Sequence, residues 1–544
     1  MSTTIPTQIE KCKGAMLATA IGDALGWPNE PRSKNRIKKP KVNDFFVEWT
    51  RSCKNPRWHD ERILPGEYSD DTQMTLSVAR SIIAGDWERF LAEKELPFWL
   101  RYERGGGSAL LKAARSISDK KVLLWQSQYN AKAYFSAGGN GATMRILPHV
   151  IASANKPDTE VLMLDVIKDT LISHGHPRAF LGATCYAFAL DYLMRKDTVL
   201  EYGELVSAVI DGQQCWGASP NSDVFSKWNE AANRFAGFDY AQEWEKARNN
   251  MMRQLEFIKA SLKKGLMLDD TKMLTVLECF GSVNGAGDVA TLAAIYLASR
   301  YATNPTLGIK VPAFSFNADT DTIASITGGL LGMLCGTNWI PNEWKVVQDY
   351  DCLVLMAELL LSDNKKTNTK NGVMAVQSQN SDWKNSSIGK IRLVDIGHAP
   401  NGKHGVVQIK KWQTVLGQTF YTKNFHPFYN GLEQETKTDE QMRLDTIPMP
   451  AASDATPQTV VQQVTDVKNK KRTIETQQRN SKFMLDSRII ESLLEKPAFK
   501  TNITIGKVLR IVLAFIEKNE NVADVAKRFD LNEEMVKLIK MCIK

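Results

Sequence analysis

The chain has 544 residues, of which 43% are hydrophobic and 24% are charged, and its formal net charge is +8. This composition is typical of a soluble globular protein, and the chain is long enough to fold around a hydrophobic core without a disulfide or a structural metal. A charge of this size on so long a chain permits an anionic partner but does not require one.

The eight cysteines are scattered along the chain and form no C-x-x-C pair. The sequence therefore gives no support to a structural zinc site or a thioredoxin-like motif, and we expect free thiols in a reducing cytoplasm. The N-terminal segment lacks the apolar core of a signal peptide. The longest weakly polar run, Ile323–Gly336, is shorter than the roughly 20 residues of a spanning helix, so we predict a cytoplasmic protein with no membrane partner.

Residues 10–362 are predicted to form one compact, all-α domain. Apolar residues recur there at intervals of three and four positions, which is the spacing of a helix with one buried face. Several of these segments are rich in Ala and Gly, which lets neighbouring helices approach closely. The clearest periodic segments are Gly14–Leu25, Thr72–Ile83, Val161–Ile172, Pro177–Met194, Val289–Tyr301 and Asp321–Leu334.

The composition changes after residue 362. Residues 363–387 are polar and aperiodic, as in a linker. Residues 388–428 contain short β-rich runs separated by the turn signal APNGK, which predicts a small hairpin or barrel-like module. Residues 429–496 are rich in Gln, Thr, Asp, Lys and Pro and are predicted to be a disordered linker.

The final segment, residues 497–544, is predicted to be helical and to contain a helix-turn-helix. Asn532 is placed to cap the second of its two helices. The inward-facing residues are predicted to be Val522, Val525, Ala526 and Phe529 in the first helix, and Met535, Val536 and Ile539 in the second. The segment has nine Lys or Arg against six Asp or Glu. This excess is too small for a clear DNA-binding face, so a protein partner is favoured, and nucleic-acid binding through Lys537, Lys540 and Lys544 is the weaker alternative.

Five motifs in the large domain carry chemistry-bearing residues. They are GAMLATAIGDALGWPNE at 14–30, YSDDTQM at 68–74, GGNGATMR at 138–145, SHGHP at 173–177 and FNADTDTIASITGG at 316–329. The second and fifth motifs each place two acids beside hydroxyl residues at the start of an apolar helical segment.

These two acidic segments suggest a site for hard divalent cations, which need several oxygen ligands. Residues 69–72 and residues 319–322 each supply four side-chain oxygen donors. If the segments meet in space, their carboxylates repel one another, and a pair of Mg²⁺ or Mn²⁺ ions would neutralise them. The simpler alternative for each segment is an ordinary helix N-cap.

The third and fourth motifs are less specific. The glycine-rich loop at 138–145 is either a plain turn or, if a helix begins after it, a cradle of free backbone N–H groups for an anion. The two histidines of SHGHP are either functional or simply mark a helix boundary, with Pro177 in the first turn of the next helix.

Taken together and in this order, the five motifs resemble the ADP-ribosylglycohydrolase family over about residues 10–345. The resemblance is carried by G-D-x-x-G with Glu30 following, S-D-D-T, G-N-G-A-x-M-R, S-H-x-H-P-x-A and D-x-D-T-I. It implies an orthogonally packed, all-α domain with a C-terminal addition.

The resemblance also implies roles for individual residues. Two Mg²⁺ or Mn²⁺ ions would be held by Ser69, Asp70, Asp71, Asp319, Asp321 and Thr322. Ser69 stands where the family usually has Thr, and it keeps the hydroxyl. Substrate would contact Asn140, Gly141 and Met144 along the diphosphate and ribose, and His174 or His176 near the distal ribose. Asp71 and Glu30 are the candidates for acid–base catalysis.

The function implied is hydrolysis of the bond between C1″ of ADP-ribose and its acceptor, on an ADP-ribosylated protein or another conjugate. Such an enzyme reverses ADP-ribosylation and could serve as the antidote to an ADP-ribosyltransferase. The bond breaks through an oxocarbenium-like state, with metal ions lowering the pKa of water and a carboxylate moving a proton.

Two alternatives use the same fold, namely a non-catalytic ADP-ribose-binding module and a regulatory protein. The acceptor is left open among arginine, serine, nucleic-acid base and small-molecule adducts. We predict that the segment Lys34–Pro65 and the loops near residues 100–135 determine it.

Overall fold

A computed structural model describes residues 5–37, 42–53, 59–156, 158–220, 223–362, 382–400, 405–427, 521–529, 533, 536 and 537. The chain divides into two compact units. The first comprises Met1–Val376 with Ser387–Phe428, and the second comprises Gln377–Ser386 with Tyr429–Lys544. The sheet strands that follow residue 387 therefore belong to the same unit as the helices.

The first unit is mainly helical, as the sequence predicts. Its helices are α1 Gln8–Gly26, α2 Asp70–Ala84, α3 Trp87–Phe90, α4 Leu96–Trp99, α5 Ser108–Lys120, α6 Ala131–Phe135, α7 Leu147–Ala152, α8 Thr159–Leu171, α9 Pro177–Arg195, α10 Glu204–Asp211, α11 Gln213–Trp216, α12 Ser226–Phe235, α13 Tyr240–Leu262, α14 Asp270–Val276, α15 Gly287–Arg300, α16 Pro305–Ala313, α17 Thr320–Cys335 and α18 Tyr350–Leu361. Two short strands, β1 Trp49–Arg51 and β2 Glu61–Ile63, pair antiparallel between α1 and α2. In the described part of the chain, no helix is both long enough and apolar enough to cross a membrane.

All six periodic segments predicted from the sequence are helices, namely α1, α2, α8, α9, α15 and α17. Most residues of these helices are buried, which accounts for the recurring apolar residues in their sequences. The long helix α13, Tyr240–Leu262, packs on α9, α10 and α15 of the same unit.

The closest helix pair, α1 and α17, is fixed by glycine. A Cβ atom on Gly22 would lie 2.2 Å from the carbonyl oxygen of Ala324, and one on Gly328 would lie 2.1 Å from that of Ala18. Only glycine permits such a backbone approach at these two positions. This close approach also places Asp23 of α1 against the first turn of α17, which carries Asp321.

After the helices come the strands β3 Trp383–Ser386, β4 Gly389–Pro400, β5 Gly405–Thr414 and β6 Thr419–Pro427. Strand β3 belongs to the second unit, and in the first unit β4, β5 and β6 form an antiparallel sheet in that order. In the register, Ile391 of β4 lies opposite Thr414, and Gly405 of β5 lies opposite Pro427, with a bulge between Leu393 and Asp395. Strand β3 lies inside residues 363–387, which the sequence predicts to be a linker. The sequence did not indicate this strand because its residues, WKNS, do not alternate between apolar and polar.

In the second unit, the structure describes helix α19, Val522–Phe529. Val525 and Ala526 are buried, as predicted for the first helix of the helix-turn-helix, and so is Val536. The remaining residues of the predicted second helix and the predicted disordered segment 429–496 lie outside the described residues.

Candidate metal centre

Three helices bring acidic side chains to one point in the first unit. One carboxylate oxygen from each of Asp23, Asp71 and Asp321 lies within 4.8 Å of the other two. Glu30, Asp319 and Asp321 form a second group that meets the same limit. Asp321 belongs to both groups, and we call these five residues the acid cluster.

The start of α2 is held in place by Asp23. Its Oδ1 accepts a hydrogen bond from the Ser69 N–H at 2.9 Å, and its Oδ2 accepts from Thr72 through the N–H at 3.0 Å and the hydroxyl at 2.6 Å. A buried carboxylate on α1 therefore satisfies backbone donors that the first turn of α2 would otherwise leave free. This contact sets the position of Asp71 relative to Asp321.

Asp71 and its hydroxyl neighbours confirm the simpler alternative, an N-cap at the start of α2, and the metal site stays a prediction. Ser69 is an N-cap, because its Oγ accepts from the Asp71 N–H at 3.3 Å. The hydroxyls of Ser69 and Thr322 also lie 3.2 and 3.3 Å from Asp71 Oδ2. The other carboxylate oxygen, Asp71 Oδ1, is buried and has no hydrogen-bond partner among the described residues. A buried carboxylate oxygen without a donor, close to other acids, is available as a ligand for a cation.

In the acid cluster, burial and like charges outweigh the groups that favour ionised carboxylates, such as Arg36 beside Glu30. Burial, together with the neighbouring carboxylates, raises the pKa of Asp71 and of Asp321 well above its usual range. Burial and Asp319 raise the pKa of Glu30 to about 7. In the part of the chain that the structure describes, no Lys or Arg forms an ion pair with any member of the cluster. Bound divalent ions would supply the missing charge and restore the ionised carboxylates.

Asp70 is placed differently from its neighbour Asp71. It is buried beside residues 103–107, and a Cβ atom on Gly105 would lie 2.5 Å from its Oδ1. Burial, then Glu103, raises its pKa well above the usual range. Asp70 belongs to neither of the two groups that could share one ion.

Asp319 is the N-cap residue of α17, but its side chain makes no capping hydrogen bond. Its Oδ2 instead accepts from the Asn140 amide at 2.8 Å. The N–H of Thr320 is bonded by Glu30, whose Oε1 lies 2.9 Å away. Glu30 therefore occupies the place of a capping residue and leaves Asp319 free to face the glycine-rich loop.

A cavity of about 400 Å³ opens beside Glu30 and Asp319. Its lining includes Arg36, Phe280, Asn284 and Asn317. Arg36 is held there by hydrogen bonds to the Asn29 carbonyl and the Asn317 side chain, both at 2.9 Å. Arg36 lies in the segment that the sequence analysis connected with acceptor choice.

The glycine-rich loop lies against the acid cluster. The Asn140 N–H donates to the Gly285 carbonyl at 2.9 Å, and Gly139 forms a bridge with Ala286, so two glycine-containing loops are fastened together. A Cβ atom on Gly141 would lie 3.1 Å from the His174 ring. Thr143–Arg145 form a single 3-10 turn, and α7 begins after it. Met144 is almost fully buried, and its carbonyl accepts from the Thr75 hydroxyl of α2 at 3.1 Å.

The two histidines of SHGHP occupy different environments. His174 is buried against Gly139 and Gly141, with its Nδ1 2.8 Å from the Ser173 hydroxyl. Burial, followed by the charge of Arg145, lowers the pKa of His174 to about 3, so its ring is neutral at neutral pH. His176 is the N-cap of α9, where its Nδ1 accepts from the Arg178 N–H at 3.2 Å. His174 therefore lies beside Gly139 and Gly141 of the glycine-rich loop, whereas His176 lies beside Gly138 of the same loop and also begins α9.

A family model described as ADP-ribosylglycohydrolase matches residues 4–369. The chain belongs to this family. The match covers the helical domain and ends before the sheet strands β4, β5 and β6. The family's helical fold agrees with the architecture described above.

Three curated relatives show how distant the matches are. The chain is 30% identical to the ADP-ribosyl-[dinitrogen reductase] glycohydrolase of Rhodospirillum rubrum over 176 residues, which is 32% of this chain and 54% of that protein. It is 26% identical to the ADP-ribosylarginine hydrolase Tri1 of Serratia proteamaculans over 194 residues, 34% of this chain and 48% of that one. It is 23% identical to the ADP-ribosylhydrolase ARH3 of Danio rerio over 355 residues, 62% of this chain and 86% of that one. The first two alignments thus span only about half the length of those relatives.

One member of the acid cluster, Asp23, was not predicted from the sequence to be a site residue. Asp23 was part of the G-D-x-x-G motif, but it sits in a helix of small residues and reads as a packing position. The signal that could have identified it is the aspartate itself, because a lone acid in a buried, small-residue helix needs a partner. Asp71, Asp319, Asp321, Glu30 and Asn140 all lie at the site.

Proposed function

We propose that this member of the ADP-ribosylglycohydrolase family is a divalent-metal-dependent hydrolase that releases ADP-ribose from an ADP-ribosylated protein or another ADP-ribosyl conjugate. One observation carries the proposal. A buried group of acids and a half-buried one share Asp321, form no ion pair with Lys or Arg among the described residues, and lie beside the loop of Asn140 and the ring of His174.

The donors present fit two Mg²⁺ or Mn²⁺ ions, because they are carboxylate and hydroxyl oxygens. We assign ligand roles to Asp71, Asp319 and Asp321, with Ser69 and Thr322 as hydroxyl donors, and add Asp23 as a further oxygen donor. Asp70 would be a further carboxylate ligand, and it approaches the site from the side on which Glu103 lies. When bound, such ions neutralise the acids and lower the pKa of water.

The remaining roles are those of the protein's own side chains. Water adds its hydroxyl to C1″ and a proton to the departing acceptor, so one group must accept a proton and one must donate it. Glu30 faces the cavity with its pKa raised to about 7, which suits either task. Asp71 is the second candidate. Asn140, Gly141 and His174 would orient the ADP-ribose, with the neutral His174 offering a hydrogen bond rather than a charge.

The test uses the full chain stripped of metal by a chelator and then supplied with Mg²⁺ or Mn²⁺. ADP-ribosylarginine is the first conjugate to try, because the Tri1 relative is named for it. An ADP-ribosylserine peptide and an ADP-ribosylated nucleic acid complete the panel, and free ADP-ribose is measured by chromatography. We expect metal-dependent release from at least one conjugate.

Asp321→Asn is the matched control, since it keeps the size of the side chain and removes its charge. Release of ADP-ribose by this variant at the wild-type rate would contradict the proposal. Binding of ADP-ribose by the wild type without turnover of any conjugate would favour the alternative of a non-catalytic ADP-ribose-binding protein.

A further inference from the structure

The beginning of β6 contacts the segment that leads into the acid cluster. Residues 418–423, which we call the anchor strand, lie outside the region matched by the family model, which ends at residue 369. We propose that the anchor strand holds the start of α2, and so Ser69 and Asp71, in the position that metal binding requires. This inference rests on the metal centre proposed above.

The first contact joins Tyr421 to Glu67, which lies two residues before Ser69. The Tyr421 hydroxyl donates to Glu67 Oε1 at 2.6 Å. The other oxygen of Glu67 accepts from Arg104 at 3.0 Å and from the Leu64 N–H at 3.2 Å. Glu67 is buried, so loss of the phenol hydroxyl would leave a buried acceptor without its donor. If the Glu67 side chain moved to reach water, it would displace the short loop that leads to Ser69.

The second contact reaches Tyr68, the residue directly before Ser69, through a shared carboxylate. Tyr68 donates to Asp349 Oδ2 at 2.6 Å. Thr419 donates to the same carboxylate through its N–H and its hydroxyl, both at 2.8 Å. The anchor strand therefore fixes the acceptor on which Tyr68 depends.

The third set of contacts closes a buried ion-pair network behind α2. Lys423 pairs with Glu61 at 2.8 Å, and Arg104 links Glu61 at 2.7 Å to Glu67 at 3.0 Å. Gln418 accepts a hydrogen bond from Arg80, a buried residue of α2 itself. Both the loop before α2 and the helix are thus bonded to the anchor strand.

Packing between these polar contacts keeps them dry. Phe420 is 1% exposed and stacks near Phe98 and Tyr102, with ring centroids 5.7 and 4.7 Å apart. On the opposite side, the start of α2 is bonded to Asp23 of α1. The first turn of α2 therefore lies between the acid cluster and the anchor strand, and a displacement on one side must appear on the other.

The size of the expected effect follows from what outer contacts do at other metal sites. Removing a group that orients a metal ligand weakens metal affinity by about 10- to 100-fold. Tyr421 acts through Glu67, so it is a positioning residue. A contact that merely stabilised the fold would change unfolding and leave the affinity for metal unchanged.

The experiment measures Mn²⁺ affinity of the full, metal-stripped chain from the electron paramagnetic resonance signal of free Mn²⁺, well below the unfolding temperature. The variant is Tyr421→Phe, which keeps the ring that Arg104 contacts and removes only the hydroxyl. The control is Thr422→Val, the next residue on β6, whose hydroxyl accepts from Trp412 within the sheet at 2.8 Å. We expect roughly tenfold weaker Mn²⁺ binding in Tyr421→Phe and wild-type binding in Thr422→Val.

A second pair of variants tests the route of the effect. Glu67→Met and the double variant Glu67→Met with Tyr421→Phe should bind Mn²⁺ with the same affinity, because the hydroxyl has no further effect once its acceptor oxygen is removed. Independent, additive losses would overturn the route through Glu67. Wild-type affinity in Tyr421→Phe, with or without reduced thermal stability, would overturn the proposal itself.

The outcomes separate this inference from the proposed function. A wild-type chain that binds Mn²⁺ but cleaves no ADP-ribosyl conjugate would contradict the hydrolase alone, and the affinities of the variants would still decide the role of the anchor strand. Active wild-type and Tyr421→Phe proteins with equal Mn²⁺ affinity would contradict the anchor strand alone. A chain that binds no Mn²⁺ would overturn both.

Discussion

Two groups of carboxylates, the ion-pair network and the acid cluster, lie near the start of α2, and their charges are balanced in opposite ways. In the ion-pair network, Glu61 and Glu67 are matched by Arg104 and Lys423. Burial opposes the charge of Glu61, but Arg104, Lys423 and Arg51 outweigh it and hold the pKa of Glu61 well below its usual range. In the acid cluster, burial and like charges act together, and the pKa values of Asp71 and Asp321 rise.

The difference separates carboxylates that are paired within the fold from carboxylates that are candidates for binding a cation. The charge of a buried acid that has its own cation is already balanced. A buried acid surrounded by other acids is stable only when it is protonated or bound to a cation. The same residue type therefore has a structural role in one cluster and a candidate metal-binding role in the other. Substitutions that remove a charge should have opposite effects on stability in the two places.

The largest effect is expected on turnover from the acid cluster. Asp321→Asn removes the carboxylate that both groups share, so release of ADP-ribose should fall by more than about 100-fold, the upper range for loss of a mere outer contact. Asp70→Ala should also abolish or strongly reduce turnover if Asp70 is a ligand. Initial rates of ADP-ribose release at saturating Mn²⁺ measure both. A near-normal rate in Asp321→Asn would remove the distinction between the two clusters.

The next effect is on stability in the ion-pair network. Glu61→Gln leaves the buried Arg104 with Glu67 alone and the half-buried Lys423 without its partner, which should cost roughly 3 kcal/mol of unfolding free energy. Urea unfolding of the full chain, followed by tryptophan fluorescence, measures it. Glu48→Gln breaks an exposed pair with Arg62 and serves as the control, with an unchanged unfolding midpoint. Equal midpoints for both variants would show that the network is not compensating the buried charge.

Stability should move the other way in the acid cluster of the metal-free protein. Burial and the neighbouring acids raise the pKa of Asp321, so Asp321→Asn should raise the urea unfolding midpoint at alkaline pH, where the wild-type carboxyl is forced to ionise. The measurement is the same urea titration, in a chelator. Destabilisation of the metal-free chain by this variant would mean that the Asp321 carboxylate is already compensated.

The pH dependence sharpens the same comparison. Acids whose folded pKa is raised stabilise the fold below their unfolded pKa, near 4, and this stability is lost as the pH rises through the folded value, which for Glu30 is about 7. The metal-free protein should therefore lose stability between pH 5 and about pH 8. Saturating Mn²⁺ should reduce or reverse that loss, because metal binding requires deprotonated ligands. A flat pH profile without metal would contradict the raised pKa values.

The smallest effect is expected at His174. With its pKa lowered to about 3 by burial and by Arg145, the ring should not titrate between pH 5 and 8. Histidine-selective nuclear magnetic resonance, with His174→Gln for assignment, measures this directly. A titration near pH 6.5 would mean that the His174 ring is exposed to water and does not lie in the buried site described.

The helices and the acidic segments were predictable from the sequence because their signals are local. Apolar spacing located α1, α2 and α17, and acids next to hydroxyls located the starts of α2 and α17. The meeting of Asp71 with Asp321 followed only as a condition of the metal hypothesis and from the family resemblance. Close packing of α1 on α17 supplies its physical cause, through glycines such as Gly22.

Other features depend on long-range contacts that no local pattern records. Asp23 joins the cluster only because α1 lies against both acidic helix starts. The adjacent residues Asp70 and Asp71 look equivalent in the sequence, but the helix geometry turns them toward different neighbours. The bond between Tyr421 and Glu67 spans 354 residues, so the docking of the sheet on α2 could not be inferred from either segment alone.

Crystals of the full chain soaked in Mn²⁺ would test the central claim most directly, through an anomalous difference map. The account predicts density for divalent ions in contact with Asp321, one on the side of Asp23 and Asp71 and one on the side of Glu30 and Asp319. Millimolar Mn²⁺ without density at either position, and with these acids hydrogen-bonded to one another, would contradict it.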